Sequence, residues 1–119
     1  MEKIHIITND TLRNMLFIEQ EIRNNRISPQ FYCNLISLAD LKKNIPYSDI
    51  CILVEQTNNQ IFPKLDELIG INPKCIFIYY WDTQEKQHEL FQCVVQRKRG
   101  SYVTLVQKII EFVKAKPRT

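Results

Sequence analysis

The sequence predicts an α/β domain: a mostly parallel, five-stranded sheet covered by helices on both faces in a single three-layer αβα unit. Two observations carry this. Short β-rich runs alternate with helix-like segments along the chain, the order that yields a parallel sheet. A length of 119 residues, 45% hydrophobic and 24% charged, suits one core and is too short for a second. No apolar run approaches the length of a membrane span, and Met1-Glu2-Lys3 leads into no signal-peptide core. A soluble, cytoplasmic protein is expected.

The strand candidates are Lys3 to Thr8, Gln30 to Ile36, Asp49 to Glu55, Lys74 to Tyr80 and Leu90 to Gln96. A helix from about Thr11 to Asn25 is predicted by Leu12, Met15, Leu16, Glu19 and Ile22, with Asp10 or Thr11 as its N-cap. Ser37 caps a short helix over LADLKK. A third helix, from about Asn58 to Gly70, places Ile61, Leu65, Leu68 and Ile69 on one face, with Gly70 as its C-cap signal. Thr83 to Glu89 forms a very short helix or a loop. The last helix runs from Tyr102 to about Lys114 behind Ser101 and carries Val103, Val106, Ile109, Ile110 and Val113.

Several function classes lack their signatures. The chain has only 2 glycines, Gly70 and Gly100, and neither belongs to a loop whose bare backbone can wrap a phosphate. The four cysteines, Cys33, Cys51, Cys75 and Cys93, are 18, 24 and 18 residues apart and sit inside apolar segments. They read as core thiols of a reducing compartment and not as metal ligands or disulfide partners. His5 and His88 share no motif, and no Ser or Cys has a base at a recognisable spacing. No metal, no cofactor and no enzymatic activity are expected.

Five strands alternating with four or five helices resemble the flavodoxin-like, doubly wound sheet of strand order 2-1-3-4-5. By length and landmark spacing the chain is most similar to the receiver domain of two-component response regulators, over residues 1–114, with 115–119 as a basic tail. The resemblance implies a pocket at the carboxyl ends of the strands, built here from Thr8, Asn9, Asp10, Glu55, Tyr79 and Lys98. A receiver has a pair of acids after its first strand, where KIHIITND offers Thr8 and Asn9 and only Asp10 keeps a carboxylate. Its phosphoacceptor aspartate ends the third strand, where SDICILVEQ has Val54 and Glu55. Its Thr or Ser after the fourth strand is replaced by Tyr79 and Tyr80. Its lysine survives as Lys98, seven residues before Leu105.

The resemblance therefore implies a degenerate, pseudo-receiver module that regulates or scaffolds a protein partner without phosphotransfer. The alternatives are a phosphorylatable atypical response regulator using Glu55 or Asp10, and a small flavodoxin-like ligand-binding protein or enzyme in which Tyr79, Tyr80 and Trp81 stack on a flavin.

Charge points to the partner. From Val94 onward seven basic residues face one acid, Glu111, so the first 93 residues carry −3 of a total of +3. Tyr80, Trp81, Arg97, Lys98, Arg99 and Tyr102 are the expected docking residues: the cations steer an acidic protein surface and the aromatics supply contact area. A homodimer is a second possibility. Nucleic acid is disfavoured, because no recognised binding motif is present and the net charge is modest.

Overall fold

The computed structural model describes residues 3–24, 30–55, 61–81, 93–96 and 101–115. β1 (Lys3–Thr8), β2 (Gln30–Leu35), β3 (Ile50–Val54), β4 (Ile76–Trp81) and β5 (Cys93–Gln96) are joined in parallel in the order β2-β1-β3-β4-β5. The 2-1-3-4 arrangement of the first four strands is the one expected. The helices are α1 (Leu12–Asn24), α2 (Leu41–Asn44), α3 (Leu65–Ile71) and α4 (Ser101–Ala115), with 3-10 turns at Leu38–Asp40, Ile45–Tyr47 and Phe62–Lys64. Among the described residues no helix is long and apolar enough to cross a membrane. The segment Thr83 to Glu89 lies outside the described residues.

Two cores result, one on each face of the sheet. On one face, Ile4, Ile6, Ile50, Ile52 and Val54 pack with Ile18 and Ile22 of α1 and Leu105, Val106 and Ile109 of α4. On the other, Ile7, Cys51, Leu53, Phe77 and Tyr79 pack with Leu41, Ile45, Leu65 and Leu68. All five residues of β3 are buried, as a central parallel strand covered on both sides requires. At the amino ends, Asp49 joins β1 and β4: its carboxylate accepts from the His5 N–H at 2.8 Å and its carbonyl accepts from the Ile76 N–H at 2.8 Å.

Three sequence expectations are corrected. On α1 the buried residues are Met15, Ile18 and Ile22, whereas Leu12 and Leu16 are 56% and 50% exposed. At 100° per residue, Leu12 and Leu16 lie roughly 90° and 130° from the middle of the buried face, so the stripe drawn through them runs off the sheet. On α4, Val103 faces solvent and Leu105 takes its place in the core. The third helix begins later than expected: Phe62–Lys64 is a 3-10 turn holding Pro63, and regular helix starts at Leu65.

Gly70 is correspondingly not a C-cap. It lies inside α3, and the cap is Asn72, whose Nδ2 donates to the Ile45 carbonyl at 3.0 Å and so anchors the end of α3 to the Ile45–Tyr47 turn. A Cβ on Gly70 would meet nothing within 4 Å. Gly70→Ala is expected to raise unfolding stability by about 0.5–1 kcal/mol, because it removes unfolded-state freedom without a clash. A denaturant titration showing a lower midpoint would contradict that helix assignment.

Candidate functional site

The carboxyl ends of β1, β3 and β4 bring together Thr8, Asn9, Asp10, Glu55 and Tyr79, as expected of a doubly wound sheet. Lys98 and its neighbours Arg97 and Arg99 lie outside the described residues. Each side chain that is described is engaged by the protein itself.

Asn9 follows β1 at the point where the β1–β3 ladder, whose last paired residues are Thr8 and Ile52, runs out. Its carboxamide continues that ladder. Oδ1 accepts from the Val54 N–H at 2.7 Å, and Nδ2 donates to the Val54 carbonyl at 2.9 Å. An amide presents one donor and one acceptor side by side as a peptide does, so Asn9 extends the sheet as a surrogate backbone.

Thr8, Asp10 and Thr11 organise the start of α1. The Thr8 hydroxyl accepts from the Asp10 N–H at 3.1 Å, and the Thr11 hydroxyl accepts from the Asn14 N–H at 3.2 Å, the bond of a helix N-cap. Asp10 Oδ1 accepts from the Thr11 N–H at 2.7 Å and from Asn14 Nδ2 at 3.0 Å. The carboxylate sits where the positive end of the helix dipole favours it. Its Oδ2 is buried without a hydrogen-bond partner among the described residues, as is Trp81 Nε1.

Glu55 is 1% exposed. Register places Val54 beside Tyr80, and the Glu55 N–H donates to the Tyr80 carbonyl at 2.8 Å. Its Oε1 accepts from the Tyr79 hydroxyl at 2.8 Å and its Oε2 from the Ile61 N–H at 3.0 Å. A buried carboxylate is costly unless hydrogen-bonded, and these two charge-assisted bonds offset that cost. They also fasten the chain at Ile61 to the ends of β3 and β4.

The donor set does not fit a Mg²⁺ ion of the kind a receiver holds. Such an ion takes oxygen ligands including one or two carboxylates, and its octahedral shell is demanding. Here the Asn9 oxygen is committed to Val54, both Glu55 oxygens accept hydrogen bonds within the protein, and Asp10 contributes one remaining oxygen. Among the described residues no group of three or more His, Cys, Asp and Glu side chains is placed to hold a metal.

Two aromatic expectations are corrected. Tyr80 and Trp81 are 5% and 2% exposed, Tyr80 in the core beneath α1 and α4 and Trp81 in the core beneath α2 and α3. Side chains alternate across a strand, which sends these neighbours to opposite faces. Neither supplies exposed contact area to a partner. Tyr79 is also fully buried, so the three aromatics form no stacking surface for a flavin. Tyr102 is a residue of α4 whose side chain is outside the described set.

The thiols of Cys33 and Cys51 are not activated. Cys51 and Cys75 are buried and Cys33 is half-buried. Burial, with the Glu19 carboxylate adding to it, pushes the Cys33 thiol up to about 12, and burial raises Cys51 well above the ordinary thiol range. Nucleophilic cysteines require the opposite shift.

The Glu55–Tyr79 and Asn9–Val54 pairings carried no sequence motif. Their signal is combinatorial: a polar residue directly after each of two buried strands, legible once strand register is known.

Among proteins of known structure, the chain resembles a response regulator from Hahella chejuensis, solved by crystallography. The two superpose with a TM-score of 0.69 over 98% of each chain at 11% sequence identity. The chain thus has the fold of a receiver domain. No family model and no curated protein sequence matches it.

Proposed function

We propose that the chain is a receiver-like regulatory module that acts by binding a protein partner and does not carry a phosphoryl group. The fold supports the regulatory half of this reading. One observation supports the rest: the carboxylate nearest the phosphoacceptor position, Glu55, is sealed in the core with its oxygens bonded to Tyr79 and Ile61. In-line transfer needs an exposed acceptor oxygen, and the two carboxylates described at the strand ends, Asp10 and Glu55, are 5% and 1% exposed. The basic segment from Val94 onward favours a partner with an acidic face.

Incubation with Mg²⁺ and acetyl phosphate, or with beryllofluoride, is expected to leave the intact mass and the amide NMR spectrum unchanged. A phosphoryl adduct on Asp10 or Glu55, or amide shifts centred on those residues, would replace this reading with that of an atypical phosphorylatable regulator.

A further inference from the structure

β2 is an end strand of the sheet, and its sequence does nothing to guard that end. Exposed strand edges are ordinarily blunted by a charged residue, a proline or a bulge. Gln30–Leu35 holds no charge and no proline, and it pairs with β1 residue for residue without a bulge. The Ile36 N–H donates to the Thr8 carbonyl at 2.8 Å, so Ile36 turns its backbone towards β1. Backbone groups alternate along a strand. Phe31, Cys33 and Leu35 therefore turn both N–H and C=O outwards, where nothing among the described residues pairs with them.

The helix layer continues this edge. The Glu19 carboxylate and the Arg23 guanidinium both act on the Cys33 thiol, which packs against the core beneath α1. Glu19 thus marks the β2 side of α1, and Leu12, Arg23 and Leu16 follow about 20°, 40° and 60° further round the helix on that side. Leu12 and Leu16 are 56% and 50% exposed. Leu35, which alternation places on the α1 side of β2 with Cys33, is 44% exposed. Three exposed leucines therefore border one unpaired strand.

We propose that β2 pairs antiparallel with β2 of a second copy, joining the two sheets into one. The edge is its own complement about a two-fold axis through Cys33. Cys33 then faces Cys33 and Phe31 faces Leu35 twice, and because all three turn their backbone outwards each pair closes two hydrogen bonds, about six in all. Moving the axis to Tyr32 or Asn34 loses one of the three pairs. The same axis sets Glu19 of each copy across from Arg23 of the other, since both lie over Cys33, and brings Leu16 and Leu35 towards Phe31 of the other copy. Charge and apolar surface thus match a second copy in two layers: a strand edge about 20 Å long and the α1 flank above it. This pairing does not depend on whether the chain is phosphorylated.

Amide hydrogen exchange, followed by NMR on the whole chain at about 50 µM and about 1 mM, tests the pairing where it is made. The Cys33 and Leu35 amides are expected to exchange at least about threefold more slowly at the higher concentration, while Asn34, whose N–H turns towards β1, is unchanged. Sedimentation equilibrium is expected to show the average mass rising from one copy towards two over the same range. Leu35→Pro removes an outward N–H that the β1–β2 ladder does not use, so it should keep the far-UV circular dichroism spectrum and hold the protein monomeric. Should that variant not fold, the exchange experiment decides on the wild type alone. Glu19→Lys should weaken the dimer about tenfold, and adding Arg23→Glu in the same chain should restore it. A wild type that stays monomeric at about 1 mM overturns the proposal. So does a dimer whose Cys33 and Leu35 amides exchange as in the monomer, a dimer that tolerates Leu35→Pro, or a Glu19→Lys loss that Arg23→Glu does not reverse.

Discussion

Ile52→Asp is expected to abolish the folded state. Ile52 is fully buried in the middle of β3, paired with Thr8 of β1 on one side and Ile78 of β4 on the other. Its side chain enters the core that α1 and α4 close. Two losses combine there. Removing a buried aliphatic side chain costs about 2–5 kcal/mol, and a carboxyl group placed in the same space costs several more whether it stays charged or takes up a proton. Together they approach the whole stability of a domain of this size, about 5–15 kcal/mol. Ile52→Val, which removes one methylene, is expected to cost only about 0.5–1.5 kcal/mol. The pair is read by circular dichroism and by dispersion of the amide NMR spectrum. A well-dispersed spectrum for Ile52→Asp would place residue 52 at the surface and undo the central position of β3.

The sequence is informative about elements and poor about faces. Each described strand lies within a residue or two of its predicted start, except β5, whose described part begins at Cys93, because a parallel strand covered on both sides is written as a continuous apolar run. The same property hides orientation: in β3 and in IFIYYW of β4 every residue is apolar or aromatic, so nothing in the pattern says which neighbours go to which core. That is why Tyr80 and Trp81 were expected at a surface they do not reach. α1 fails for a related reason. It has apolar residues on two opposite faces, Met15-Ile18-Ile22 inward and Leu12-Leu16-Phe17 outward, and periodicity alone does not choose between them. At the site, TND was legible as a helix start, since Thr11 caps α1. The ladder-extending role of Asn9 was not, because it depends on Val54, which lies 45 residues away.

Tyr79→Phe tests whether Glu55 is held as a structural group. Both residues are buried, 24 positions apart in sequence, and their link is one hydroxyl-to-carboxylate bond of 2.8 Å. Removing the hydroxyl withdraws a donor from a buried carboxylate, a loss of about 1–3 kcal/mol, with the charge favouring the upper half of that range. Glu55→Gln should be milder. Its amide keeps an oxygen for the Ile61 N–H and turns an N–H towards the Tyr79 oxygen, which accepts as readily as it donates. Glu55→Ala removes the acceptor, so Tyr79→Phe in that background has less left to lose. Urea titrations of the four proteins, wild type, Tyr79→Phe, Glu55→Ala and the double variant, are therefore expected to give a coupling of about 1–3 kcal/mol. Effects that add to within about 0.5 kcal/mol would mean that the bond contributes nothing to folding. The carboxylate would then be free to leave Tyr79, and the sealed-site argument against phosphoryl transfer would lose its support.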